Sequence, residues 1–458
     1  MIKTTEQKLT LSSYLYIGSM LFGLFFGAGN LIFPVHMGQL AGSSVSWATL
    51  GFLITGIGLP FLGVVAIGVS NSNGLFELSS RIHPYYGYFM TTALYLTIGP
   101  FFALPRTGTV SYEIGLAPYI GEQYQTLGLG LFTIAFFGLA LILSLKPTKI
   151  LIYVGKILNP LFLLFLSVLM ITAFIKPLGG ITEAPVTGNY LTAPFASGFT
   201  EGYNTMDALA SLAFGIIVVQ TIKGLGVTKP ASIAKDTIKS GLISMILMGV
   251  IYTGLAYLGT MSIGRFPISE NGGIALTQLS NYYFGSLGSI LLAIIVTIAC
   301  LKTAIGLITA CSETFHEMFP KSFSYKTYVY IFSIVACLVG NVGLTKIISY
   351  SIPVLMFLYP LAITLILLAL LSPLFKNRQI VYVSTTVLTL FVSIADMLNA
   401  LPESIRQLDS IQSILKFYSA YLPFFDNGMG WILPALIGLA SGWAVSLLTK
   451  PKMQIGDK

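Results

Sequence analysis

The chain has 458 residues, of which 55% are hydrophobic and only 9% are charged, and its net charge is +8. A soluble globular protein carries about a quarter of its residues as charges, so this chain cannot cover the surface of a soluble body of its size. A soluble protein and a disordered chain are therefore excluded. The composition predicts a polytopic membrane protein.

Twelve apolar segments are long enough to cross a bilayer as helices, which takes about 20 residues each. Their periodicity is helical and lacks the alternation of a membrane barrel, so the predicted fold class is all-α with about twelve transmembrane helices. In chain order, the predicted spans are 12–35, 47–69, 86–110, 126–145, 150–174, 206–222, 240–262, 286–310, 327–342, 345–371, 380–398 and 430–448.

The basic residues orient these spans, because lysine and arginine concentrate on the cytoplasmic side of a membrane. With a cytoplasmic N-terminus, sixteen of the 24 basic residues fall in cytoplasmic segments and five in outer ones. This bias predicts a multi-pass protein of the plasma membrane with both termini in the cytoplasm. The positive charge then faces the anionic headgroups of the lipid bilayer, and no nucleic-acid partner is needed to explain it.

The spans group into three parts. Residues 1–222 hold a first set of five helices plus the first helix of a second set, and residues 223–371 hold the remainder of that set. Residues 372–458 hold two accessory helices and the C-terminal tail. The outer loop at 263–285 is expected to be partly helical. The segment 223–239 is expected to be a basic linker on the cytoplasmic side.

The first span contains the sequence Gly27-Ala28-Gly29-Asn30 in its middle. One interpretation is close helix packing, since Gly23 and Gly27 form a small-xxx-small pair. The other is an unwound segment at Gly27–Asn30, where free N–H groups attract a carboxylate and free carbonyls attract a cation.

The sixth span has a similar interruption within residues 205–215, where an acid, Asp207, precedes a run of small residues. Alone it is weak evidence, because small residues in membrane helices usually serve packing. Spans one and six, however, are the first helices of two consecutive five-span sets. Interruptions at corresponding positions of two halves indicate the binding site of a transporter.

Five runs of sequence resemble the bacterial branched-chain amino acid:cation symporter family. The runs are LFGLFFGAGNLIFP (21–34), LYLTIGPFFALPRTGTVSYEIG (94–115), VGKILNP (154–160), TMDALASLAFGI (205–216) and ACLKTAIGL (299–307), and the resemblance extends over nearly the whole chain. The resemblance implies a LeuT-type five-plus-five inverted repeat with two additional C-terminal helices. It also implies import of leucine, isoleucine and valine by symport with H+ or Na+, without any other cofactor.

The resemblance further implies a substrate site at the broken helices. The substrate carboxylate would meet the backbone N–H groups of Gly27, Ala28 and Gly29, and Asn30 would steady the unwound turn or reach a bound ion.

In the sixth span, Ser211 would present backbone groups and Phe214 an aromatic wall. Phe101 and Phe102 of span three would complete an apolar pocket. Such a pocket separates leucine, isoleucine and valine poorly, because one methylene contributes only about 1–3 kcal/mol.

The coupling site is where this chain departs from the family. By resemblance, a cation would lie between the carbonyls of Gly23 and Phe26 and span-eight residues Ala299, Lys302 and Thr303, where the family usually shows a Thr-Thr pair. A lysine ammonium would occupy the space and charge of the ion, and a buried lysine can release a proton. This favours proton coupling over sodium. The alternative is that the lysine extends toward the cytoplasm and sodium is the coupling ion.

Three more charged residues lie within predicted spans. Arg106 is expected to form a structural or gating ion pair with Asp207 or Glu113, with substrate contact as the alternative. Asp207 is alternatively a proton carrier. Lys156 is either a second charge near the coupling site or a side chain that extends toward the cytoplasm.

Other classes of function have little support. The chain has only three histidines, and the run that begins His316-Glu317 lacks the second histidine of a metalloprotease helix. A channel would show rings of charge or repeated filter loops. We therefore predict a transporter and not an enzyme, with a small-molecule partner that is a branched-chain or another small zwitterionic amino acid. The sequence does not give an oligomeric state.

Overall fold

The computed structural model describes residues 9–70, 72–145, 150–227 and 229–449. Across these ranges the chain folds into α-helices joined by short 3₁₀ and π-helical turns. The helices are α1 Leu11–Phe25, α2 Ala28–Ala41, α3 Val45–Leu53, α4 Leu59–Ser70, α5 Leu75–Ser80, α6 Pro84–Leu96, α7 Ala103–Gly115, α8 Gln125–Leu145, α9 Ile150–Ile175, α10 Pro194–Glu201, α11 Asp207–Gly224, α12 Pro230–Ser262, α13 Gly272–Met318, α14 Tyr325–Gly340, α15 Leu344–Leu371, α16 Gln379–Asn399, α17 Glu403–Arg406, α18 Asp409–Tyr421 and α19 Ile432–Leu448.

Each of the twelve predicted spans overlaps at least one of these helices, which confirms the all-α fold class. By length and composition, 8 helical stretches of the described chain qualify as membrane spans. Three shorter apolar helices accompany them, at Leu163–Ile175, Tyr325–Gly340 and Ile432–Leu448. The number of crossings and the division into three parts at residues 222 and 371 stay predictions.

The connecting segments are more helical than expected. The loop at 263–285 is partly helical, since α13 begins at Gly272 and kinks at Gly285, which has a φ of 62°. The basic segment 223–239 is not a plain linker, because Pro230 starts α12, a position that suits proline. The third span is divided by a π-turn at Thr97–Phe101 around Pro100, which has no N–H to give the helical ladder.

Helix α2 lies at the centre of the molecule, and 12 of its 14 residues are buried. It packs backbone to backbone on α12. A Cβ atom at Gly38 would lie 1.9 Å from the carbonyl oxygen of Ala256, and one at Gly259 would lie 2.0 Å from that of Val35. The hydroxyl of Thr260 donates a hydrogen bond of 2.7 Å to the Gly38 carbonyl. Glycine at these two positions is what allows this approach.

We expect Gly38→Val to lower the melting temperature of the detergent-purified protein markedly, because the new side chain must force α2 and α12 apart. Overpacking of this kind costs about 1–3 kcal/mol or more. Gly138→Val in α8 is the matched control, since no atom lies within 4 Å of a Cβ built there. Equal melting temperatures for the two variants would contradict the close backbone contact between α2 and α12 at Gly38.

Candidate functional site

The first span is broken at two residues. Helix α1 ends at Phe25 and α2 begins at Ala28, with Phe26 and Gly27 in extended conformation between them. The side-chain oxygen of Asn30 accepts the Gly27 N–H at 2.9 Å. The prediction of a break is confirmed, but its placement at Gly27–Asn30 is wrong: the Asn30 side chain caps the turn, so the helix already resumes at Ala28.

The sixth span is also broken, at Met206. Helix α10 and a 3₁₀ turn at Gly202–Thr205 precede it, and Met206 itself adopts a left-handed conformation with a φ of 61°. Helix α11 then runs without interruption from Asp207. The predicted interruption over residues 205–215 is wrong beyond Met206, and the first half of the span, Pro194–Thr205, was missed.

A buried hydrogen-bond network joins the two breaks. The Asn30 side-chain nitrogen donates to Oδ2 of Asp207 and to the hydroxyl of Tyr252 in α12. The Tyr252 hydroxyl donates to the same Oδ2 at 3.2 Å. Asp207 lies in the first turn of α11, where the helix dipole favours a negative charge. The network ties together the second half of span one, the second half of span six, and α12.

A cavity of about 330 Å³ lies between the two breaks. Most of the predicted site residues line it: Gly23, Gly27, Ala28, Gly29, Asn30, Arg106, Asp207, Phe214, Lys302 and Thr303. Further lining residues were not predicted and are mostly apolar or small: Ile98, Ala103, Thr107, Met206 and Ala210. Ala210 could have been predicted as a lining residue, because it lies one turn before Phe214 and residues four apart share a helix face.

Several predicted residues do not line this cavity. Phe101, at the end of the π-turn, is 43% exposed. Ser211 is fully buried beside Gly63 of α4, and its hydroxyl donates to the Ala208 carbonyl. Phe26 stacks on Phe22, outside the lining.

Three predicted residues remain. Phe102, next to Phe101, is also absent from the lining. So is Ala299, whose carbonyl accepts the Thr303 hydroxyl at 3.2 Å. The side chain of Lys156 lies outside the part of the chain that the structure describes.

Arg106 closes one end of the cavity. Its guanidinium donates to the Asn204 carbonyl at 2.6 Å and to the Ser351 hydroxyl at 2.9 Å, and it lies over the ring of Phe33. The predicted pairing with Asp207 or Glu113 is wrong, because the fully buried Arg106 reaches a carbonyl freed by the break in span six, and Asp207 bonds Asn30 and Tyr252 instead. Arg106 thus joins α7 to the first half of span six and to α15.

The other end of the cavity is open. Ile217 in α11 is 40% exposed, and Gly306 and Glu313 of α13 are exposed as well. Lys302, Gly306 and Glu313 lie on one face of α13, at helical spacing. Thr303 lies next to the first break, since a Cβ at Gly27 would be 3.6 Å from its methyl group.

Two broken helices that meet at a buried cavity define a secondary transporter with discontinuous helices. Solved structures of Mhp1 share the fold. One, titled as its inward facing conformation, matches with a TM-score of 0.62 over 97% of this chain and 92% of that chain, at 13% identity. Another, titled as a closed conformation with bromovinylhydantoin bound, has a TM-score of 0.60 over 96% and 94%, at 12% identity. At these identities the likeness shows the fold alone.

The chain belongs to the family described as branched-chain amino acid transport protein, whose profile matches residues 10–448. It is 48% identical to the branched-chain amino acid permease BrnQ of Lactobacillus delbrueckii subsp. lactis, over 94% of this chain and 96% of the relative. It is 45% identical to BrnQ of Bacillus subtilis, over 96% and 98%, and 40% identical to the branched-chain amino acid transport system 2 carrier protein of Pseudomonas aeruginosa, over 96% and 97%. The family resemblance is confirmed, and the chain is a transporter and not an enzyme.

Proposed function

We propose that this chain imports leucine, isoleucine and valine across the plasma membrane by cation symport. The observation that carries the proposal is the buried cavity between the two broken helices, in a chain of the branched-chain amino acid transport family. The substrate class is supported by the relatives that are named branched-chain amino acid permeases or carriers. A cavity of about 330 Å³ is within the range of small-molecule sites.

The substrate carboxylate is assigned to the start of α2. The first N–H groups of a helix have no partner within it, and the helix dipole adds a partial positive charge. Ala28 and Gly29 supply such groups at the edge of the cavity, while the Gly27 N–H is taken by Asn30. The aliphatic side chain of the substrate is assigned to the apolar wall of Met206, Ala210 and Phe214.

Coupling is assigned to protons rather than sodium, with Lys302 in place of a bound ion. Two observations support this. Lys302 lines the same cavity as the first break, and Thr303 lies against that break. The ammonium then supplies the positive charge that sodium would bring, and a lysine in a desolvated site releases its proton readily. Two alternatives are sodium coupling with the same substrates and transport of another small zwitterionic amino acid.

The open end of the cavity is assigned to the cytoplasm. With both termini cytoplasmic, as the distribution of basic residues indicates, Ile217 and Glu313 lie toward the inner ends of their spans, and Arg106 lies toward the outside. The conformation is then inward-open, with the outer path closed by Arg106.

Lys302→Thr should create or strengthen sodium dependence, because it adds a hydroxyl beside that of Thr303, which gives the Thr-Thr pair, and removes the ammonium. The measurement is uptake of labelled leucine into proteoliposomes under separately imposed proton and sodium gradients. Wild type should accumulate leucine with the proton gradient alone. Lys321→Thr is the control, since Lys321 is exposed outside the cavity.

Two results would count against this proposal. If wild type accumulates leucine only with the sodium gradient, the transport function stands, but Lys302 does not act in place of the ion. If neither gradient drives leucine into the vesicles, the cargo is wrong, and competition by a panel of unlabelled amino acids would identify another.

A cysteine at Ile217 tests the direction of the opening. In a chain without its three native cysteines, Ile217→Cys should react with a membrane-impermeant maleimide added from the cytoplasmic side, and leucine should slow the reaction. Tyr119→Cys, at an exposed position in a predicted outer loop, should react from the outside only. Reaction of Ile217→Cys from the outside would show that the assigned direction is reversed.

A further inference from the structure

Asp207 is a buried carboxylate that lines the cavity without a cationic partner. Its side chain is only 3% exposed. Arg106 donates its hydrogen bonds elsewhere, and no lysine or arginine of the described residues forms an ion pair with Asp207. Burying an ionised carboxylate without a counter-ion is costly. The neighbours Asn30 and Tyr252 are neutral and supply hydrogen bonds but no charge.

The hydrogen bonds from Asn30 and Tyr252 leave the other carboxylate oxygen of Asp207, Oδ1, available to a ligand. Asn30 and Tyr252 both donate to Oδ2. The hydroxyl of Thr205 is also within hydrogen-bonding reach of the carboxylate, and it donates to the Gly202 carbonyl at 2.9 Å. Neither Asn30 nor Tyr252 bonds Oδ1, so this oxygen can accept a hydrogen bond from a ligand in the cavity.

Asn30 fixes how far Asp207 lies from the start of α2. One end of its amide accepts the Gly27 N–H, and the other end donates to Asp207. The Gly27 N–H and Oδ2 of Asp207 are therefore joined through one side-chain amide and its two hydrogen bonds, and Ala28 and Gly29 follow Gly27 directly in the chain. An α-amino acid carries its ammonium and its carboxylate on one carbon, so its two charged groups are also only a short distance apart.

We propose that Asp207 binds the ammonium group of the transported amino acid through Oδ1, while the start of α2 binds its carboxylate. This rests on the proposed function and deepens it, because it makes the α-ammonium a required part of the substrate. The substrate is then the counter-ion of Asp207. Fatty acids of the same shape are excluded, since their binding would leave Asp207 unpaired beside a second negative charge.

The test compares leucine with two analogues that each lack one charged group. 4-Methylpentanoate is leucine without its ammonium, and 3-methylbutylamine is leucine without its carboxylate. Binding is measured on the full chain in detergent, by the shift in melting temperature as each ligand is titrated, so that the readout does not depend on coupling. Wild type should prefer leucine over 4-methylpentanoate by at least about 100-fold, because a site built for a polar group strongly rejects an analogue without it.

Asp207→Asn should weaken leucine binding by about 10-fold or more and reduce the preference over 4-methylpentanoate to within about 10-fold. It should also abolish any binding of 3-methylbutylamine, and Asp207→Glu should restore part of the preference. Asp396→Asn is the matched control: Asp396 is an equally buried acid, 1% exposed, in α16 and outside the cavity. This variant should keep the wild-type preference.

The outcomes separate this inference from the proposed function. If wild type binds leucine but Asp207→Asn keeps the full preference over 4-methylpentanoate, the ammonium assignment is overturned and the transport function stands. If wild type binds 4-methylpentanoate as tightly as leucine, the assignment is overturned without any variant, even where Asp207→Asn fails to fold. If wild type binds no branched-chain amino acid, the proposed function itself has failed.

Discussion

The side-chain amide of Asn30 is the interaction on which the centre of this protein depends. Its oxygen accepts the Gly27 N–H, and its nitrogen donates to Asp207 and Tyr252. Inside a membrane, polar groups released by a helix break have no water to bond and must find partners in the protein. This amide bonds a main-chain N–H at the first break and the side chain of Asp207, the residue that follows the second break. It sets the residue at which α2 resumes, holds α11 beside it, and ties both to α12.

The two ends of the cavity are built from different chemistry. At the closed end, a guanidinium bonds a main-chain carbonyl, and the rings of Tyr203 and Tyr359 stack with centroids 4.1 Å apart. At the open end, the exposed lining residues are an isoleucine of α11 and a glycine and a glutamate of α13. Alternating access requires that, in any one conformation, the path to the site is closed on one side of the membrane and open on the other. Hydrogen bonds close this cavity at one end, and its other end is open.

The sequence predicted that the first span is broken, because a polar amide beside glycines in an apolar run is costly inside a membrane, but it placed the break too far along the chain. It predicted the sixth span less well. The half at Pro194–Thr205 is short and carries Glu201 and Asn204, so its hydropathy is that of a loop. Only its packing against α3 and the π-helical turn Ile54–Gly58 makes it part of a span. Contacts between distant segments decided the rest. Phe101 is directed away from the cavity by the π-turn, and Ser211 faces a glycine of α4. Neither follows from spacing along one helix.

The glycine contact between α2 and α12 has a consequence for how the protein moves. Because the two backbones touch at Gly38 and Gly259 and are bonded through Thr260, these helices cannot slide past each other and travel as one rigid body. If the closed end of the cavity is the outer one, as proposed, opening it must break the bonds by which Arg106 joins α7 to the Asn204 carbonyl and to Ser351 of α15. The pair of α2 and α12 would then move as a unit that keeps its own contacts, while the bonds of a single side chain are exchanged.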